Sequence, residues 1–209
     1  MRTASAGSEN DMNDRLMDAS LADRLDHPER LLWLPPAMVI SALAVQPGDA
    51  IADIGAGTGY FSLPLAHAVG SFGLVYAVDC QAEMLGHLQI KLDAGGISNI
   101  RMINADADST GLPNASCDLV FMANVWHEFE DRSAVLLEAK RSLKDGGRIA
   151  VLDWRPDVEP DHGPPLHHRI SASDAVDSVQ SSGFVDVKQC NVGRYSWLVQ
   201  GNIHGESEQ

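Results

Sequence analysis

The stretch Ile51-Ala52-Asp53-Ile54-Gly55-Ala56-Gly57-Thr58-Gly59-Tyr60-Phe61 passes from an apolar, strand-like run through three alternate glycines into a helical pattern. Each glycine removes a Cβ where backbone and ligand must approach closely or where φ is positive. A helix start behind such a turn offers N–H groups and a partial positive charge to an anionic ligand group. Asp79 closes the next strand-like run, about twenty residues beyond Gly59, where a carboxylate can accept hydrogen bonds from both hydroxyls of a ribose. A nicotinamide dinucleotide site rests on the same physics, but its fingerprint is G-x-G-x-x-G. Here Tyr60 stands where the third glycine is wanted, and its ring crowds a pyrophosphate.

Outward from this stretch, strand, loop and helix alternate, the pattern of a parallel sheet covered on both faces. Strands are predicted at 50–54, 73–79, 100–104, 117–124 and 148–154, with helices at 58–69, 81–93, 133–143 and 172–182. Gly70, Gly95-Gly96, Gly146-Gly147 and Gly183 read as helix stops, and Ser171 with Asp174 has capping-box spacing. Two final strands at 184–191 and 195–200, joined through Val192-Gly193-Arg194, imply an antiparallel hairpin at one sheet edge. Ahead of the sheet, residues 1–14 are small, polar and charged and read as a disordered tail. A helical cap follows over about 15–46, with helix starts at His27-Pro28-Glu29-Arg30 and at Pro35-Pro36. The expectation is one α/β domain over 15–205, with a mostly parallel seven-stranded sheet.

The chain has 209 residues, 44% of them hydrophobic, enough for one sizeable core. Its formal net charge of −14 argues against general nucleic-acid binding, which needs clustered Lys and Arg to displace counterions. No apolar run suits a signal peptide or approaches the roughly 20 residues needed to span a bilayer, so no membrane insertion and a cytoplasmic location are expected. Cys80, Cys117 and Cys190 are odd in number and far apart, as free thiols in a reducing compartment would be.

The central stretch resembles motif I of the class I S-adenosylmethionine-dependent methyltransferases, and Val75 to Asp79 resembles their acidic motif. Asn104-Ala105-Asp106-Ala107-Asp108 is similar to the segment that reads adenine. Cys117 to His127 resembles motif IV, beside the reactive methyl, and Leu143 to Val151 resembles the L-K-x-G-G-x-x-x-V signature before the fifth strand. The resemblance covers about 44–200 and implies a Rossmann-like fold, S-adenosylmethionine as cofactor, S-adenosylhomocysteine as product, and a small-molecule methyl acceptor. It further implies that Asp53 approaches the cofactor amino group, that Gly55, Gly57 and Gly59 flank the methionine portion, and that Asp79 holds the ribose. Met84 would pack on adenine, Asp106 and Ala107 would read its edge, and Asn124 would shape the wall beside the methyl. The motif order is similar to that of ubiquinone/menaquinone-biosynthesis and arsenite methyltransferases, without carrying over the arsenic substrate. Two alternatives stay open: a S-adenosylmethionine-binding regulator without methyl transfer, and, disfavoured by Tyr60, a dehydrogenase.

Methyl transfer from a sulfonium is an in-line displacement that rests on positioning, with a base where the acceptor carries a proton. His127 leaves the fourth strand on the acceptor side and is the candidate base, with Asn124 on the same wall. No metal is expected. Asp131 stands where H-E-x-x-H wants its second histidine, and Asp161, His162, His167 and His168 have no tetrahedral spacing. The segment 157–168, rich in proline and charge, reads as a mobile cover over the cleft.

Overall fold

The computed structural model describes residues 22–159 and 162–204. The proposed tail and the start of the cap lie outside them. The elements run α1 (Ala22–Leu25), α2 (Arg30–Trp33), α3 (Pro36–Leu43), β1 (Ala50–Ile54), α4 (Ser62–Val69), β2 (Leu74–Asp79), α5 (Ala82–Gly95), β3 (Ile100–Asn104) and β4 (Cys117–Ala123). A 3₁₀ turn at Trp126–Glu128 precedes α6 (Arg132–Ser142) and β5 (Leu143–Trp154); a second at Leu166–His168 precedes α7 (Ala172–Ser181), β6 (Val185–Val192) and β7 (Ser196–Asn202). Among the described residues, no helix is long and apolar enough to cross a membrane.

The sheet has seven strands in the order β3-β2-β1-β4-β5-β7-β6. Strands β1 to β5 pair in parallel, and β7 runs antiparallel between β5 and β6. This is the expected Rossmann-like methyltransferase architecture, with its hairpin at one edge. Side-chain alternation along the central strands divides the core between two faces. Ile51, Leu119 and Phe121 pack with Leu65 of α4 and Leu88 of α5, while Ala52, Ile54, Val120 and Met122 pack with Leu136 of α6 and Val179 of α7.

Two boundaries differ from the sequence reading by more than two residues, each for a physical reason. Helix α4 begins at Ser62 rather than Thr58, because Gly55, Gly57 and Gly59 all have positive φ and cannot lie in a right-handed helix. Strand β5 begins at Leu143, ahead of the glycine pair expected to stop the helix. Leu143 is buried and pairs with Cys117, and the register shift before Leu119↔Arg148 absorbs the glycines as a bulge. The cap of α5 is Gly96, in the left-handed region, whose N–H bonds to the Leu92 carbonyl. Two caps satisfy helix starts: Asp131 accepts from the Ala134 amide on α6, and Ser171 from that of Asp174 on α7. Asp131, the residue that breaks the metal motif, is therefore a helix cap.

Candidate active site

The carboxyl ends of β1, β2 and β4 open onto two adjoining chambers that share Gly55, Asp79, Gln81, Val125 and Glu128 as walls. The larger, about 500 Å³, is lined further by Cys80, Asp106, Ala107 and Phe129. The smaller, about 80 Å³, is bounded by Arg30, Asp53, Gly57, Tyr60, Met84 and Asn124. A ligand cleft outside the strand ends is where an open α/β sheet places one.

The turn after β1 is pinned from beneath. The Gly55 and Ala56 amides both donate to the Val78 carbonyl, at 2.8 and 3.0 Å, so the loop crosses the end of β2. Asp79 is buried; its Oδ2 accepts from the Gly57 amide at 2.8 Å and its Oδ1 from the Gln81 amide at 2.9 Å. Burial raises its pKa, against the pull of those two hydrogen bonds. Asp79 thus fixes the glycine loop as well as bordering both chambers.

Asp53 lies deeper, 2% exposed, accepting a 2.6 Å hydrogen bond from the Ser62 hydroxyl. Burial pushes its pKa up to about 6, countered by Ser62 and helped by the charge of Asp79. Asn124 has φ +59, a left-handed conformation that turns its side chain off the strand. Its amide nitrogen and oxygen are both buried without a hydrogen-bond partner among the described residues. Such a side chain in a cavity wall is an open ligand contact.

Of the residues singled out from sequence, Asp53, Gly55, Gly57, Asp79, Met84, Asp106, Ala107 and Asn124 all border the chambers. Gly59 does not; a Cβ there would stand 2.4 Å from Leu88 Cδ1, so its role is close packing of the loop on α5. Met84 borders the small chamber, apart from Asp106 and Ala107 in the large one. His127 borders neither. It is buried with Nδ1 3.0 Å from both Asp153 carboxylate oxygens, while its backbone amide donates to Asp153 Oδ2 at 2.9 Å. Burial opposes its charge, but the hydrogen bond and charge of Asp153, with Glu128, prevail and raise its pKa.

Two site residues escaped the sequence reading. Glu128 borders both chambers, 3.9 Å from His127 Nε2, and burial pushes its pKa up to about 7 against the charge of His127. An acidic residue set between Trp126 and Phe129 was the available signal. Arg30, in the cap, reaches the small chamber and stacks on Tyr60 with Cζ 3.9 Å from the ring centre. The cap is also latched to the glycine loop: Asp26 accepts hydrogen bonds from the Thr58 hydroxyl at 2.8 Å and from Lys91 at 2.6 Å, and the Tyr60 hydroxyl donates to the Leu34 carbonyl at 2.6 Å.

The segment expected as a mobile cover of the cleft is placed differently. None of the described residues of 155–169 borders either chamber. The Arg169 guanidinium donates to the carbonyls of Arg155, Val158, His162 and Pro164, folding the segment around itself. His162 stacks on Trp33 of the cap at 4.8 Å, beside Trp154 and Tyr195. The described residues of the segment thus pack on an aromatic cluster.

The donor set fits S-adenosylmethionine. The large chamber offers carboxylates to hydroxyl and amino hydrogens beside apolar walls, and the small one offers a carboxylate, an unpaired amide and a cation to an amino-acid end. Residues 52–151 match a family described as "Methyltransferase domain". The chain is 30% identical to a SAM-dependent methyltransferase of Aquifex aeolicus of known crystal structure, with 90% of this chain and 100% of that one covered and a TM-score of 0.85. It is 35% identical over 124 residues to the ubiquinone/menaquinone biosynthesis C-methyltransferase UbiE of Cellvibrio japonicus, 59% of this chain and 49% of that protein. The chain spans about half the length of the curated relatives it matches. The crystal structure of an arsenic(III) S-adenosylmethionine methyltransferase from Chlamydomonas reinhardtii, 21% identical with a TM-score of 0.62 and covering 79% of this chain and 66% of that one, shares the fold. Full coverage of the Aquifex protein, together with the matched domain, shows that this chain belongs to the S-adenosylmethionine-dependent methyltransferases.

Proposed function

We propose that the chain transfers the methyl group of S-adenosylmethionine to a small-molecule acceptor, and that the acceptor atom is a carbon, as the name C-methyltransferase of the UbiE relatives suggests. The observation that carries the reading is the common wall of the two chambers, where Gly55, Asp79, Val125 and Glu128 meet beside the unpaired Asn124 amide. The bound cofactor supplies an electrophilic methyl on a positively charged sulfur. Asp79 and Asp106 hold the adenosine end, and Asn124 positions the methionine end. Glu128 is the group that takes a proton from the acceptor. His127, fixed by Asp153, is a positioning residue that acts through Glu128 rather than touching the acceptor. The free cysteines support a cytoplasmic location within the same reading.

The test is incubation with methyl-labelled S-adenosylmethionine and a metabolite extract, with mass-spectrometric identification of the labelled product. Tight cofactor binding with no labelled product from any acceptor would favour a binding regulator instead. Turnover of the native protein is expected to rise with pH through about 7 as Glu128 ionises, because a base works only when deprotonated. Glu128→Gln should lower turnover about 100-fold and remove that limb while S-adenosylhomocysteine affinity holds. His127→Gln should shift the limb and lower turnover by about tenfold. An unchanged profile in both variants would remove the assignment.

A further inference from the structure

The glycine loop has few amides left for a carboxylate. Those of Gly55 and Ala56 are donated to Val78, that of Gly57 to Asp79 and that of Gly59 to the Ala56 carbonyl. A ligand with an anionic end in the small chamber therefore needs another donor. Arg30 is 7% exposed; its Nη1 donates to the Leu25 carbonyl at 3.0 Å, and its Nε is buried without a partner among the described residues. No carboxylate among the described residues lies within ion-pair distance of it. Burial pulls its pKa down to about 10, against the charges of Tyr60, Asp26 and Asp53. A guanidinium removed from water without an anion is costly, and its planar fork matches the two oxygens of a carboxylate.

We infer that Arg30 binds the α-carboxylate of the methyl donor, so that the cap, and not the glycine loop alone, selects the amino-acid end of the cofactor. Arg30 borders the chamber with Asp53, Gly57 and Asn124, whose volume of about 80 Å³ suits one small polar group and not a nucleoside. Asp53 and Arg30 then present opposite charges to the ammonium and carboxylate of the same ligand end. The Tyr60 ring beneath the guanidinium keeps its plane fixed. The inference rests on S-adenosylmethionine being the donor.

Calorimetry with three probes tests it: S-adenosylhomocysteine, its decarboxylated amine analogue, which keeps the ammonium group, and methylthioadenosine, which lacks the whole amino-acid end. The native protein should bind S-adenosylhomocysteine about 10- to 100-fold more tightly than the decarboxylated analogue. Arg30→Gln should erase that preference by weakening S-adenosylhomocysteine alone, leaving the analogue and methylthioadenosine unchanged. Arg30→Lys, which keeps the charge and loses the fork, should retain part of it and serves where the glutamine variant does not fold. Equal affinity of the native protein for the first two probes overturns the inference whatever the variants do. So does an Arg30→Gln variant that weakens all three probes alike. Failure of every probe, methylthioadenosine included, would remove the cofactor itself.

Discussion

Gly55→Ala is expected to abolish measurable S-adenosylhomocysteine binding and to destabilise the protein by about 2–4 kcal/mol. The new Cβ would stand 2.5 Å from Val125 Cγ1, at a backbone φ of +71 that L-residues avoid. Relief cannot come cheaply. The Gly55 amide is tied to Val78, and Val125 is itself a wall of both chambers, so either movement narrows the cleft. Gly48→Ala is the control, because its φ is +92 but none of the described residues lies within 4 Å of the added Cβ. It should cost about 1–2 kcal/mol, from backbone strain alone, and leave binding intact. Thermal melts and calorimetry on the two variants separate strain from collision. Equal losses would show that close approach at Gly55 is unimportant.

Asp79→Ala should weaken S-adenosylhomocysteine binding by about 100-fold and lower stability by about 1–3 kcal/mol. The double loss follows from its two duties. Its carboxylate borders both chambers, and it also satisfies the Gly57 and Gln81 amides, which would be stranded in a partly dry cleft. A residue serving only the ligand would lose affinity without stability. Full affinity in Asp79→Ala would sink the ribose assignment, and unchanged stability would show that the loop holds itself.

The sheet was legible in the sequence because its signals are local: apolar runs of strand length, glycine stops and helical spacing of leucines. The order of the last two strands was not. The hairpin turn says that β6 and β7 pair, but not which of them joins β5. Their burial holds the answer: Trp197, Leu198 and Val199 of β7 are buried, while Lys188, Gln189, Cys190 and Asn191 of β6 are exposed, as an edge strand requires. The proposed cofactor residues Asp53, Gly55, Asp79, Asp106 and Asn124 lie at or just beyond strand ends, so motif position alone puts them at the cleft. Arg30 and Glu128 were missed because their placement depends on tertiary packing. Arg30 meets the loop only once the cap folds over Tyr60, and His127 turns from the cleft only because Asp153, on the adjacent strand, binds its Nδ1. No local pattern encodes either contact.

The latch between cap and glycine loop bears on kinetics. Leu25 and Arg30 of the cap line the small chamber, and Asp26 and Tyr60 tie the cap down through Thr58, Lys91 and Leu34. If an amino-acid end seated there leaves past the cap rather than through the larger chamber, those polar contacts must open first. Association measured by stopped flow should then reach a plateau with rising S-adenosylhomocysteine concentration, set by the opening rate, and a strictly linear dependence would show that the cap stands open or is bypassed. On a plateau, the spent cofactor leaves no faster than the cap lifts. The residence time of S-adenosylhomocysteine, rather than the displacement at the methyl, would then pace successive turnovers.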